Sequence, residues 1–270
     1  MPGPYLEALL LGVIQGITEF LPISSDGHLA LAEILFGLKA GGLTFNVLLH
    51  AGTLFATLVM LRHEVLVAVG SGFAALRRPR LFLETDGGRD ALTVVLASIP
   101  TAIIGLLLRD AVESLTEDPL AIGLGFLGTA LALVASTFAK RGDREHPTWL
   151  GALAIGVAQG LAVLPGLSRS GSTIALALFL GVRPARAFTL SMLMSLPAIV
   201  GAIGLEARHA FSGPFPVGPA LAGAIVAFGT GVVALLMLRH IVDRGRFGWF
   251  AFWVAPLSLA TIALGLRWPG

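Results

Sequence analysis

Long apolar runs recur along this chain with hardly a charge inside them, each close to the roughly 20 residues a helix needs to cross a bilayer. In lipid every backbone N–H and C=O must find a partner within the protein, so runs of this length and continuous apolarity fold as helices. Composition agrees: 56% of the 270 residues are hydrophobic and 13% charged, against about 25% charged in a soluble domain. The mean hydropathy of +0.88 excludes a soluble, disordered, collagen-like or coiled-coil chain. The expectation is an all-α polytopic membrane protein, a single transmembrane domain over residues 1–270. A net charge of +2 and a pI near 9.7 reflect loop orientation, so no nucleic acid is expected as a partner. With no cysteine, disulfides, thiolate zinc sites and cysteine nucleophiles are ruled out.

The pattern predicts six transmembrane helices near 43–62, 91–109, 119–140, 188–206, 217–239 and 248–266. Two further apolar segments, 5–38 and 149–182, are each interrupted by a Pro, Ser and Gly cluster and read as re-entrant helical hairpins. Arg77, Arg78, Arg80 and Arg89, then Lys140, Arg141 and Arg144, then Arg239, Arg244 and Arg246 mark three loops expected on the cytoplasmic side. Asp110, Glu113, Glu117 and Asp118 fall opposite them. Residues 64–77 are too short to span and read as a surface-lying helix. Met1 to Tyr5 lack the basic region of a signal peptide, so no cleavage is expected.

The two broken segments are alike. Gly12-Val-Ile-Gln15-Gly16 matches Gly156-Val-Ala-Gln159-Gly160 at an offset of 144 residues, and Leu21-Pro22 with Ser24-Ser25 matches Leu164-Pro165 with Ser168-Arg169-Ser170. Phe45 and Phe188 open the next span in each half. A broken hairpin followed by three spans, an odd number, makes the second half start on the other side of the membrane. An inverted repeat is therefore expected, with halves of about 1–140 and 148–270 and a site where the two breaks meet.

Ionisable and polar residues at membrane depth are costly and point to function. Gln15 and Glu19 stand four apart on one helix face and offer oxygen ligands. Ser24, Ser25, Asp26 and His28 follow within the first break. The second supplies Gly166, Ser168, Arg169, Ser170, Gly171 and Thr173: a fixed cation, hydroxyls, and glycines that let backbone N–H groups approach a ligand. Helix restarts after both breaks would aim their positive dipole ends at one volume, which suits phosphate oxygens, and arginine matches phosphate bidentately. Carboxylate, histidine, arginine and hydroxyls around an anion site are the equipment for phosphoryl transfer. A divalent metal fits between Glu19 and the phosphates, with Gln15 as a further ligand.

These residues resemble the undecaprenyl-diphosphate phosphatases, also called bacitracin-resistance proteins. The resemblance rests on Gln15, Glu19 and the stretch Pro22 to His28, and on Pro165 to Thr173, which follows the family's second signature without a gap. It implies hydrolysis of a C55 polyprenyl diphosphate to the monophosphate, recycling a lipid carrier for cell-wall synthesis and conferring resistance to bacitracin. It further implies dependence on Mg²⁺ or Ca²⁺, a homodimer, and a site at the outer face of the cytoplasmic (inner) membrane. By carry-over, Glu19 holds the metal or orients the attacking group, Arg169 binds the diphosphate, and Ser24, Ser25, Ser168, Ser170 and Thr173 give hydrogen bonds, with Gly166 and Gly171 lining the cradle. His28 is either the attacking group or the base for Ser25 or a water. Asp26, where the family commonly has Ser or Thr, and Gln15 in place of Glu depart from the pattern and bear on metal stoichiometry.

Other polar residues have plainer readings. His50 and Asn46 line the site or act as interhelical glue, and stay outside the catalytic set. Glu7, Glu33, Glu64 and Glu206 suit interface positions. Arg183 and Arg186 follow the positive-inside rule, and Trp149, Trp249, Trp253 and Trp268 suit interface anchors. The competing function is a transporter or flippase for polyprenyl phosphate lipids, because inverted repeats with broken helices also serve alternating access. Hydrolysis needs a base beside a hydroxyl; transport has little use for one.

Overall fold

A computed structural model describes residues 3–38, 42–210 and 216–268, and the described residues are helical almost throughout. The first broken segment is α1 (Pro4–Phe20) and α2 (Ser25–Phe36); the second is α8 (Trp149–Leu161) and α9 (Arg169–Phe179). Between them lie α3 (Gly42–Met60), α4 (Arg62–Arg77), the short α5 (Leu81–Glu84), α6 (Asp86–Thr116) and α7 (Pro119–Ser136). After them come α10 (Pro184–Ala210), α11 (Val217–Asp243), a 3₁₀ turn at Phe247–Phe250, and α12 (Ala251–Gly265). Five helices are long and apolar enough to cross a membrane, and the bent pair Thr44–Met60 with Arg62–Arg77 makes a sixth. That pair turns by 83°, so α4, over the residues expected to form a surface-lying helix, departs sharply from the direction of α3, the span expected at 43–62.

Helix ends follow local chemistry more than hydropathy. Thr85 accepts a hydrogen bond from Gly88 N at 3.1 Å and starts α6 five residues before its apolar run. The helix then continues through Pro100 to Thr116, so Asp110 and Glu113 lie on its last turns, outside any loop. Asp118 caps α7 through Leu120 N and Thr148 caps α8 through Gly151 N. Such side-chain acceptors satisfy N–H groups that a helix start leaves unpaired. At the far end α7 stops at Ser136, before the expected 140, where Thr137 and Phe138 turn back onto Val134 and Ala135 carbonyls.

The packing of the halves is crossed. α1 lies along α11 and α8 along α6, while α7 and α12 pair with each other. Small residues permit these contacts: a Cβ at Gly12 would sit 2.5 Å from the Gly223 carbonyl, and one at Gly156 would be 2.7 Å from both Ala97 Cα and the Pro100 ring. With lipid as apolar as the side chains, such close backbone approach holds membrane helices together. A buried polar knot ties the linker between halves to the bundle. Arg186 pairs with Asp90 and His146 Nε2 lies 2.9 Å from the same carboxylate, while at its half-exposed edge Arg183 reaches Glu145 at 2.6 Å. Arg186, read as a topology signal, is thus also a structural ion pair.

Candidate active site

The first break begins where Pro22, which has no N–H to donate, follows the end of α1. Ile23 N bonds Leu21 O at 2.7 Å, and Ser24 then adopts φ 69°, ψ 106°, the one positive φ of a non-glycine among the described residues. A left-handed φ there stores about 1–3 kcal/mol of strain, which surrounding contacts must hold. Ser24 Oγ accepts from Gly27 N at 3.4 Å, so Ser25 becomes the first residue of α2. The second break repeats this plan at the same offset. Ser168 Oγ accepts from Gly171 N at 3.0 Å, and Arg169 becomes the first residue of α9. Gly166 takes φ +86°, and Thr129 of α7 fastens the loop by donating to Gly166 O at 2.7 Å and accepting from Ser168 N at 2.8 Å.

The breaks touch. A Cβ on Gly27 would lie 2.7 Å from the Phe126 ring and 2.9 Å from Gly166 Cα, so the start of α2 sits against the second loop with no room for a side chain. Across this contact the Arg169 guanidinium donates to Glu19 Oε1 at 2.5 Å. Oε2 of the same carboxylate accepts from Ser25 Oγ at 2.6 Å and from Gln15 Nε2 at 3.1 Å. Glu19 and Ser25 are buried at 8% exposure each and Gln15 at 0%. A carboxylate held this far from water needs its cation and donors, since unpaired it would be strongly unfavourable. Two buried atoms of this centre, Gln15 Oε1 and Arg169 Nη1, have no hydrogen-bond partner among the described residues. One acceptor and one cationic donor therefore remain for a ligand.

Four expected residues thus come together: Gln15, Glu19, Ser25 and Arg169. Ser24, Ser168, Gly166 and Gly171 shape the breaks. Ser170 Oγ lies 3.3 Å from Ser168 Oγ. Thr173 is turned from the centre, bonded to Arg169 O and, at 2.7 Å, to Ser191 Oγ of α10. His28 is not brought into the network. Its Nδ1–H donates to Ser24 O at 2.8 Å and its Nε2 accepts the Trp253 indole N–H at 3.2 Å, so both ring nitrogens are used. The histidine near the carboxylates is His50, whose Nε2 lies 3.9 Å from Glu19 Oε2 and 3.8 Å from Asp26 Oδ1. His50 was readable as site-lining; Thr129 gave no signal and Trp253, read as an interface anchor, bonds His28, because which helix neighbours a break is decided by tertiary packing.

For a cation the centre offers the Gln15 amide oxygen and the Glu19 carboxylate, hard oxygen donors of the kind Mg²⁺ and Ca²⁺ take. Among the described residues no three His, Asp or Glu side chains gather to hold a metal, so such an ion would draw its remaining ligands from substrate oxygens and water.

Fold and centre define a class: a polytopic α-helical membrane protein with a buried carboxylate linking a hydroxyl to a guanidinium. Comparison with known proteins narrows it. The model of the bacitracin resistance protein BacA family matches residues 8–260. The undecaprenyl-diphosphatase of Desulfosudis oleivorans is 41% identical, over 97% of this chain and 99% of that one. Those of Desulfatibacillum aliphaticivorans (41%; 92% and 94% covered) and Carboxydothermus hydrogenoformans (37%; 96% of each) are similar. The chain belongs to the BacA family.

Proposed function

We infer that this chain is an undecaprenyl-diphosphatase, a membrane phosphatase that hydrolyses undecaprenyl diphosphate to undecaprenyl phosphate and inorganic phosphate. Family membership and the names of relatives aligned end to end support the activity. The observation that carries the chemistry is the single carboxylate of Glu19 bonded to both Ser25 Oγ and Arg169. In this reading Ser25 Oγ attacks the terminal phosphorus while Glu19 takes its proton. The P–O bond to the lipid monophosphate breaks; a phosphate is a stable leaving anion and needs no strong acid to depart. Arg169, through its unpartnered Nη1, and the N–H groups at the start of α2 hold the phosphoryl oxygens as charge spreads over them. Glu19 gives that first proton up with the departing lipid monophosphate; water then attacks the phosphoserine, passing a proton to the Glu19 carboxylate, which returns it to Oγ as the P–Oγ bond breaks, so inorganic phosphate leaves and Ser25 is restored. A Mg²⁺ or Ca²⁺ ion held by Gln15 and Glu19 would neutralise diphosphate charge. His28 serves as a prop for the strained Ser24 carbonyl in place of a base.

The matched breaks and crossed packing support a single domain of two inverted repeats, with the breaks as re-entrant hairpins. Arginine in the loops after α4, α7 and α11 supports a cytoplasmic placement of those ends and an opening of the site to the outer face of the cytoplasmic membrane. The same architecture would suit a flippase, but the bonded carboxylate and hydroxyl favour hydrolysis. The test is phosphate release from polyprenyl diphosphate by the purified chain with Mg²⁺, together with rapid-quench trapping of label from a terminally labelled substrate. Label on Ser25 and a loss of about 100-fold or more in Ser25→Ala are expected. Full activity of Ser25→Ala would remove the serine from the reaction, and absence of release from the unsubstituted chain would favour transport.

A further inference from the structure

A groove of about 430 Å³ runs between α1, α2 and α12, beside the catalytic centre. Its walls include Ile17, Leu31, Leu35 and Phe36, with the His28–Trp253 pair across one side. The two rings are nearly parallel, 13° apart, joined by the indole N–H bond, and Phe126 stands edge-on against His28 at 5.2 Å. They form a flat plate backed by the bundle. The groove asks for nothing polar: Thr18 Oγ1 is spent on Ile14 O at 2.7 Å, and both nitrogens of His28 are used. Its lining includes Ile23 and His28, and His28 Nδ1 bonds Ser24 O, so the groove adjoins the first break, whose next residue is Ser25. Its outer wall is open, with Leu35 52% and Trp253 58% exposed.

We propose that this groove seats the first isoprene units of the lipid diphosphate, with Trp253 as the residue that grips the tail and so positions the diphosphate at Ser25. The proposal rests on the phosphatase reading for its substrate. The argument for an isoprenoid is the adjacency: the groove adjoins the break that carries Ser25, and a stiff branched chain leaving a diphosphate there fills such an apolar slot against a flat aromatic face. The volume suits a few isoprene units; the rest of a long tail lies in the bilayer.

Two measurements test it on the full chain in detergent. With a C15 polyprenyl diphosphate as substrate, Trp253→Ala should raise KM about tenfold, the effect of removing one large apolar contact, and leave kcat within about twofold. Trp253→Phe should restore most of the loss, and Trp249→Ala, which removes an exposed ring carrying Arg246 at 4.6 Å, should change neither constant. A fall in kcat at unchanged KM would overturn the proposal and make Trp253 a prop for His28. Second, a C15 diphosphate with a photoreactive diazirine on its last isoprene unit should label α2 and α12, and excess C55 diphosphate should suppress that labelling; label confined to other helices would overturn the groove. No phosphate release by the unsubstituted chain would overturn the phosphatase reading, while labelling would still decide whether a tail lies here.

Discussion

The two helix breaks share a capping plan and differ in the residue that follows the cap. Ser24 and Ser168 each accept from a glycine three residues on, and the next residue is Ser25 in one break and Arg169 in the other. Upstream, Gln15 and Gln159 occupy matching places, yet Glu19 has only Val163 opposite it. Gln15 accordingly bonds Glu19, whereas Gln159 is turned to Thr101 and the Met194 carbonyl. In the proposed reaction two similar backbone devices divide the chemistry, the first carrying carboxylate and hydroxyl, the second the cation. Where the carboxylate is missing, the same glutamine has become structural.

Removing the cation should break the comparison most severely. Arg169→Ala leaves Glu19 buried without its counter-charge and the phosphoryl oxygens without their donor. A loss of about 10³-fold in kcat/KM is expected from phosphate-release assays, with a lowered Tm from the uncompensated carboxylate. Arg169→Lys, which keeps charge but not the forked geometry, should recover only part. The glutamines sharpen the contrast. Gln15→Ala should lower both turnover, about tenfold, and thermal stability, by about 1–3 kcal/mol, whereas Gln159→Ala should lower thermal stability by a similar amount through unpaired buried groups and leave kcat nearly intact. Equal turnover of the two would deny the division of labour. Thr129→Val, which strips the second loop of two hydrogen bonds, should cost a similar 1–3 kcal/mol, read in a thermal melt, with a secondary fall in activity. Smallest of all is Arg183→Ala: its pair with Glu145 is about half exposed on both sides, and activity and Tm should stay within error.

Much of this was legible in the chain. Apolar length gave the spans, because lipid leaves the backbone no alternative to helix, and the Pro-Ser-Gly clusters marked both breaks because little else interrupts such runs. Gln15, Glu19, Ser25 and Arg169 stood out as polar groups where polarity is expensive. Side-chain direction was not legible. His28 lies three residues after Ser25, a spacing that puts both on one helix face, but its ring is taken by Trp253 from 225 residues away. His50 reaches the carboxylates because α3 packs beside α1, a contact no local pattern encodes. Helix ends were misjudged at Thr85 and Ser136, where capping and turn chemistry overrode hydropathy. Arg186 looked like a loop charge, and only the fold brings it to Asp90.

The absence of cysteine permits a direct test of whether the breaks meet. In Glu19→Cys combined with Arg169→Cys, a short bifunctional thiol reagent should join the peptides carrying positions 19 and 169 within one monomeric chain, as read by mass spectrometry, with no such product in either single variant. Two thiols labelled separately, with no joined peptide, would mean that the carboxylate and the guanidinium occupy different parts of the membrane protein.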